Sequence, residues 1–242
     1  MRIASVPRTR SISSVPLSVI ALLEGGFIAQ LCWHALRPEP QAGAQALPAP
    51  PALAYLQLIS LGDPAVFGKL LMLWLQAFDN QPGISIPFQD LDYPKVIGWL
   101  ERILALDPKG QYPLLAASRL YSEVPDEVKQ RQMLEFVYEQ FFQDPNRRWP
   151  WLAHAVYIAK HRLHDLPLAL RYAQAIAACA KGEQVPHWAQ QMQIFVLEDI
   201  GEIESAKALI GGLLESGTIT DPQELQFLMN RLKEIEARLS PR

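Results

Sequence analysis

Two hydrophobic patterns divide the chain, and each suits a different environment. From Val15 to Leu36 the run VPLSVIALLEGGFIAQLCWHAL is mostly apolar, interrupted by Glu24, Gln30 and His34. As a helix rising about 1.5 Å per residue it reaches roughly 33 Å, enough to cross a hydrocarbon core. From about Leu53 onward apolar positions recur instead at helical spacing. The stretch YPKVIGWLERILAL, Tyr93 to Leu106, puts Val96, Ile97, Leu100, Ile103 and Leu104 on one stripe and stops at Asp107-Pro108. The same period predicts helices near 64–79, 92–107, 112–121, 126–142, 148–163, 166–180, 186–200, 202–216 and 221–239. Short connections carrying Asp165, Gly182, Pro186, Gly201, Gly217 and Asp221-Pro222 join the later ones. Strand signals shrink to Ile84-Ser85-Ile86, hemmed in by Pro82 and Pro87. The expected class is all-α.

Two segments break the pattern. Residues 37–52, RPEPQAGAQALPAPPA, hold five prolines and five alanines in sixteen positions. Such a composition does not bury a core, and proline keeps it extended, so it reads as a semi-rigid spacer. The chain then divides into a basic flank (1–14), an apolar span (15–36), a Pro/Ala-rich linker (37–52) and a helical body (53–242). The second break is DNQPGISIPFQDLD, residues 79–92, a long connection between the first two body helices. Two readings of it stand side by side: a functional loop, or a wrap covering the open face of the first helical pair.

Spacing within the body is the most informative feature. Helical hairpins begin near Gln111, Arg148 and Pro186, which are 37 and 38 residues apart. In HWAQQMQIFVLEDIGEIESAKALIGGLLESG (187–217), Trp188 sits early in a first helix, Gly201 marks a turn, and Ala206 takes a small-residue position in a second helix. Small residues are needed there because the two helices cross closely. RRWPWLAHAVYIAKHRLHDLPLALRYAQAIA (147–177) repeats the arrangement with Trp151, Ala155, Tyr157, Ala159 and Ala169. The stops LDP (106–108), QDP (143–145) and TDP (220–222) punctuate the units. These features resemble tetratricopeptide repeats, whose unit is about 34 residues. The resemblance implies a tetratricopeptide-like α-solenoid over roughly 64–239, with four degenerate hairpins and a charged capping helix at 223–239. It also implies a groove, lined by first helices, that accepts a peptide or helix from another protein.

Charge adds a direction. Residues 1–14 carry Arg2, Arg8 and Arg10 with no acid, while Arg37 and Glu39 offset each other beyond the span. The positive-inside rule then leaves the N-terminus in the cytoplasm and the body outside, on a single-pass anchor of the inner (cell) membrane. Two other readings stay open: a signal peptide cleaved near Ala42-Gly43-Ala44, and a helix lying on the membrane surface. Within the span, Glu24 costs roughly 3 kcal/mol on insertion scales. Gly25 and Gly26 beside it would let another helix approach and bond the carboxylate, which makes Glu24, Gly25 and Gly26 a candidate contact with a membrane partner.

Composition removes several classes. Half of the 242 residues are hydrophobic, 19% are charged and the net charge is −3, so disorder throughout and a nucleic-acid footprint are both excluded. Two cysteines form neither a disulfide framework nor a four-thiolate zinc site. His154, His161 and His164 share one helix, but with Lys160, Arg162 and Arg171 around them they read as a basic solvated surface. No cofactor, no metal and no catalytic residue is expected, and no enzyme motif occurs. The candidate groove residues are Arg119, Arg147, Arg148, His154, Lys160, Gln190 and Gln191, a mildly basic set suited to an acidic partner segment. The first functional expectation is a membrane-anchored scaffold, assembly factor or accessory subunit that binds proteins of a larger membrane or envelope complex. The alternatives are an enzyme or regulatory subunit with a site at loop 79–92, and a secreted soluble adaptor.

Overall fold

A computed structural model describes residues 16–36, 44–81, 83–217, 219 and 221–239. The basic flank 1–14 and the first part of the linker, 37–43, lie outside the described residues. The chain forms two units, 1–43 and 44–242. In the first, a single helix α1 (Leu17–Leu36) has no buried residue. It is the one described helix that is by itself long and apolar enough to cross a membrane; a signal sequence has the same character.

The second unit contains ten helices among its described residues: α2 (Leu53–Ile59), α3 (Pro64–Gln76), α4 (Tyr93–Leu106), α5 (Tyr112–Arg119), α6 (Glu127–Phe141), α7 (Pro145–His161), α8 (Leu166–Cys179), α9 (His187–Ile200), α10 (Ile203–Glu215) and α11 (Pro222–Leu239). Five of these starts share a cause. The side chains of Asp63, Asp92, Asp126 and Asp165 each accept a hydrogen bond from a backbone N–H of the first turn, and Asp221 accepts one from Gln223 N. Proline follows at the first or second helical position in α3, α4 and α8, where its missing N–H costs nothing. At the end of α9, Gly201 takes φ +92°, and the N–H groups of Gly201 and Glu202 close onto Glu198 O and Leu197 O.

Most helices pack mainly on their sequence neighbours, and the core runs as three successive clusters. The first joins α3 to α6 around Met72, Tyr93, Leu100, Leu114 and Met133. The second, around Phe141, Leu152, Tyr172 and Ile176, joins α6 to α9. The third, around Ile194, Ala206, Ile210 and Ile235, joins α9 to α11. Ala155, Ala159, Ala169 and Ala206 are fully buried, as close helix crossings require. Polar bonds between successive hairpins recur at separations from 33 residues (Arg231–Glu198) to 40 (Trp151–Gln111). The protein is thus a helical-hairpin-rich all-α chain with one apolar N-terminal helix.

One segment differs from its sequence reading, and a second, loop 79–92, takes a definite form. Residues 44–52 are docked on the body rather than held off it. Leu47 is buried, Trp99 Nε1 donates to Pro48 O at 2.9 Å, and Arg102 Nε donates to Pro51 O at 3.3 Å. The extended proline-rich backbone has no internal bonds, so its carbonyls are free for these donors. Loop 79–92 is also structured. A two-residue hairpin, β1 (Asn80–Gln81) with β2 (Ile84–Ser85), is followed by a turn that packs Ile86, Phe88 and Leu91 onto the first cluster. It covers the first pair of helices.

Candidate functional site

The seven groove residues expected from sequence do not converge on one surface. Arg148 is 3% exposed: its guanidinium donates to Gln140 O at 2.6 Å, Gln140 Oε1 at 3.2 Å and Pro108 O at 3.1 Å. It ties the start of α7 to α6 and to the end of α4, and burial holds its acidity above that of a free guanidinium. Arg147 stays exposed and pairs with Asp144 at 3.2 Å. Lys160 pairs with Asp199 of α9. Gln190 donates to Ala180 O at 3.0 Å, and Gln191, also 3% exposed, donates to the Glu224 carboxylate of α11. A free basic groove is therefore not assembled: Arg148 and Gln191 are internal, and Arg147 and Lys160 are matched by acids.

Arg119 and His154 do come together, around Glu123. His154 Nε2 lies 3.6 Å from Glu123 Oε1, and Arg162 Nη2 donates to Glu123 Oε2 at 2.9 Å. The His154 ring stacks on Tyr157 (5.8 Å between centroids), which contacts His161 at 4.8 Å. Burial, reinforced by the charge of Arg119 and opposed by Glu123, holds the His154 imidazole below its ordinary pKa. Among the described residues no group of three His, Cys, Asp or Glu side chains gathers to hold an ion.

Sequence reasoning missed a cleft of about 580 Å³ between α9 and α11. Trp188, Phe195 and Phe227 line it, with Glu224 and Asp221 at one side. Trp188 and Phe227 are about half exposed. Trp149 meets Trp188 edge-on at 5.3 Å, and Phe195 meets Phe227 at 6.2 Å, so aromatic faces continue from α7 to α11. The two helices are clamped by Arg231, whose Nε and Nη2 donate to the nearly buried Glu198 carboxylate at 2.9 and 2.6 Å. A signal was present in the sequence: Trp188 and Phe195 fall early and midway in one helix, and Phe227 falls early in the capping helix. The arrangement can hold an apolar or aromatic side chain beside two acids, Glu224, which accepts from Gln191, and Asp221, which accepts from Gln223 N.

Loop 79–92 borders a second cavity of about 450 Å³, shared with Leu47 and its neighbours. Of its acids, Asp92 caps α4 and pairs with Lys95 at 3.2 Å. A third cavity, about 340 Å³ and lined by Gly68, Met72, Leu73, Ile103 and Pro113, is almost wholly apolar.

Fold and cleft together define an all-α helical-hairpin protein with one apolar N-terminal helix. No family model, no curated protein and no solved structure matches the chain.

Proposed function

We propose that this chain is a single-pass, membrane-anchored helical-repeat protein of the tetratricopeptide-like kind, whose body binds another protein of a membrane complex. One observation carries the proposal. A helix of bilayer length without a single buried residue is joined to a hairpin body that presents exposed aromatic side chains around an open cleft. Recurrent polar bonds at separations near 33–40 residues support the repeat reading. The cleft favours a partner segment that brings an aromatic or aliphatic anchor with a basic residue beside it, in place of the acidic segment that the sequence suggested. Along α1, a Cβ added at Gly25 or Gly26 meets nothing within 4 Å, which leaves room for a second helix beside Glu24.

Purification of the full chain from membranes in mild detergent tests the reading. Native chain should bring down a stoichiometric protein partner, and the double variant Trp188→Ala, Phe227→Ala should lose at least about tenfold of it, because exposed aromatics in clefts carry most binding energy. An undiminished partner with the double variant would refute the cleft as the binding site.

A further inference from the structure

The body's first two helices carry an unusual surface. α2 and α3 turn their inner sides, Leu56 and Gly68, Met72 and Leu75, toward the protein interior. Their other sides leave Leu58, Leu61, Val66, Leu70 and Leu73 at 78%, 94%, 50%, 56% and 61% exposure. Between Ala44 and Phe78 only Asp63 and Lys69 are charged, so this surface lacks the polar rim of an ordinary protein interface. At the corner between the helices Leu61 holds φ +52°, a conformation that favours glycine or asparagine. The corner thus spends local strain to hold a leucine almost wholly outside the protein. The surface continues through Leu73 into the apolar cavity bounded by Ile103 and Pro113.

The chain itself indicates what covers this surface. Seven residues, 37–43, join Leu36 of α1 to Ala44, a tether spanning at most about 25–30 Å when extended. An anchored chain therefore keeps its Ala44 within that distance of the bilayer, and α2 starts nine residues later, at Leu53. We infer that the α2–α3 corner is a membrane-seated element, with Leu58, Leu61, Val66 and Leu70 sunk into the headgroup–acyl boundary of the bilayer that holds α1. Tyr55 and Trp74, both exposed in part, suit the interfacial level, and Lys69 supplies the positive charge that attracts anionic headgroups. The corner lies on the bilayer and does not cross it: α2 and α3 together pass for a bent pair of apolar helices, but their inner sides are already buried against the body. The membrane would then hold the body at two places, fixing the orientation of its hairpins.

The inference rests on the anchor reading, and depth-resolved quenching separates the two. Full-length chain with Cys32→Ser and Cys179→Ser would carry a single new cysteine, bearing an environment-sensitive fluorophore, at Leu61, Leu58, Leu31 or Gln174. Reconstitution uses phosphatidylcholine–phosphatidylglycerol vesicles whose lipids carry a spin label near the headgroup end of the acyl chain. Probes at Leu61 and Leu58 should be quenched about twofold or more, as expected for side chains sunk about 5–10 Å, while the probe on exposed Gln174 stays unquenched. Unquenched probes at both Leu61 and Leu58 would overturn the inference, whether the corner proved to be free or covered by a protein or a second copy. The Leu31 probe reports on the anchor alone: its failure to be quenched would remove the anchor reading, whatever the corner shows.

Discussion

His154 shows how a side chain read as a ligand-facing cation is converted into a neutral internal group. Its side chain is 15% exposed, it stacks on Tyr157, and the charges of Arg119 and Arg162 oppose that of Glu123 on it. The lowered pKa sets the sign of a pH effect. Above about pH 6.5 the ring is neutral in folded and unfolded chain alike; below it the unfolded chain takes up the proton first, so stability falls with pH. Urea midpoints between about pH 7.5 and 5 should fall less for His154→Gln than for the native chain. Equal slopes would place His154 outside this linkage. Arg148 makes the complementary case. Its guanidinium satisfies Pro108 O and Gln140 O inside the protein, so Arg148→Leu should cost about 1–3 kcal/mol in a denaturant titration. The neighbouring Arg147→Leu, on an exposed side chain, should cost much less. The two arginines are adjacent in sequence, and one helical step of about 100° separates an internal strut from a surface ion pair. That phase depends on what α7 packs against, so charge and position alone did not reveal it.

Helices were the most legible elements, because periodic apolar stripes and Asp-Pro punctuation follow from local sterics and capping. Punctuation was misread in one respect. Asp144-Pro145 and Asp221-Pro222 open the next helix as much as they end the last, so α7 begins at Pro145, three residues before the expected Arg148. The proline-rich strand 44–52 was not legible as part of the body. Only Leu47 is strongly apolar before Leu53, and the remaining contacts are backbone carbonyls meeting Trp99 and Arg102, which no side-chain pattern records. Gly98 permits that contact: an added Cβ would stand 2.8 Å from Pro50 Cγ. Gly98→Ala should therefore loosen the strand, lower the melting temperature and speed proteolysis within 44–52. Unchanged proteolysis would show that the strand adapts. Ala206, buried between α9 and α10, should reject a large side chain; Ala206→Trp is expected to cost about 1–3 kcal/mol by overpacking, read as a lowered melting temperature.

For the whole molecule the proposal is one of attachment: the apolar helix would hold the hairpin body at a membrane, where the body would meet a partner. Glu24 bears on how passive that attachment is. Glu24→Leu should ease insertion, since roughly 3 kcal/mol of insertion cost disappears. If the carboxylate bonds a partner helix, the same variant should weaken co-purification of that partner, as should Gly25→Leu with Glu24 intact. Partner recovery must be compared at equal membrane levels of each variant; full recovery with both would leave α1 as an anchor only. The most direct measurement is a topology reporter fused after Arg242 of the full chain. An enzyme active only outside the cytoplasm should be active in that position, and a reporter active only in the cytoplasm should be silent. A silent exported reporter paired with an active cytoplasmic one would contradict a body held outside the cytoplasm.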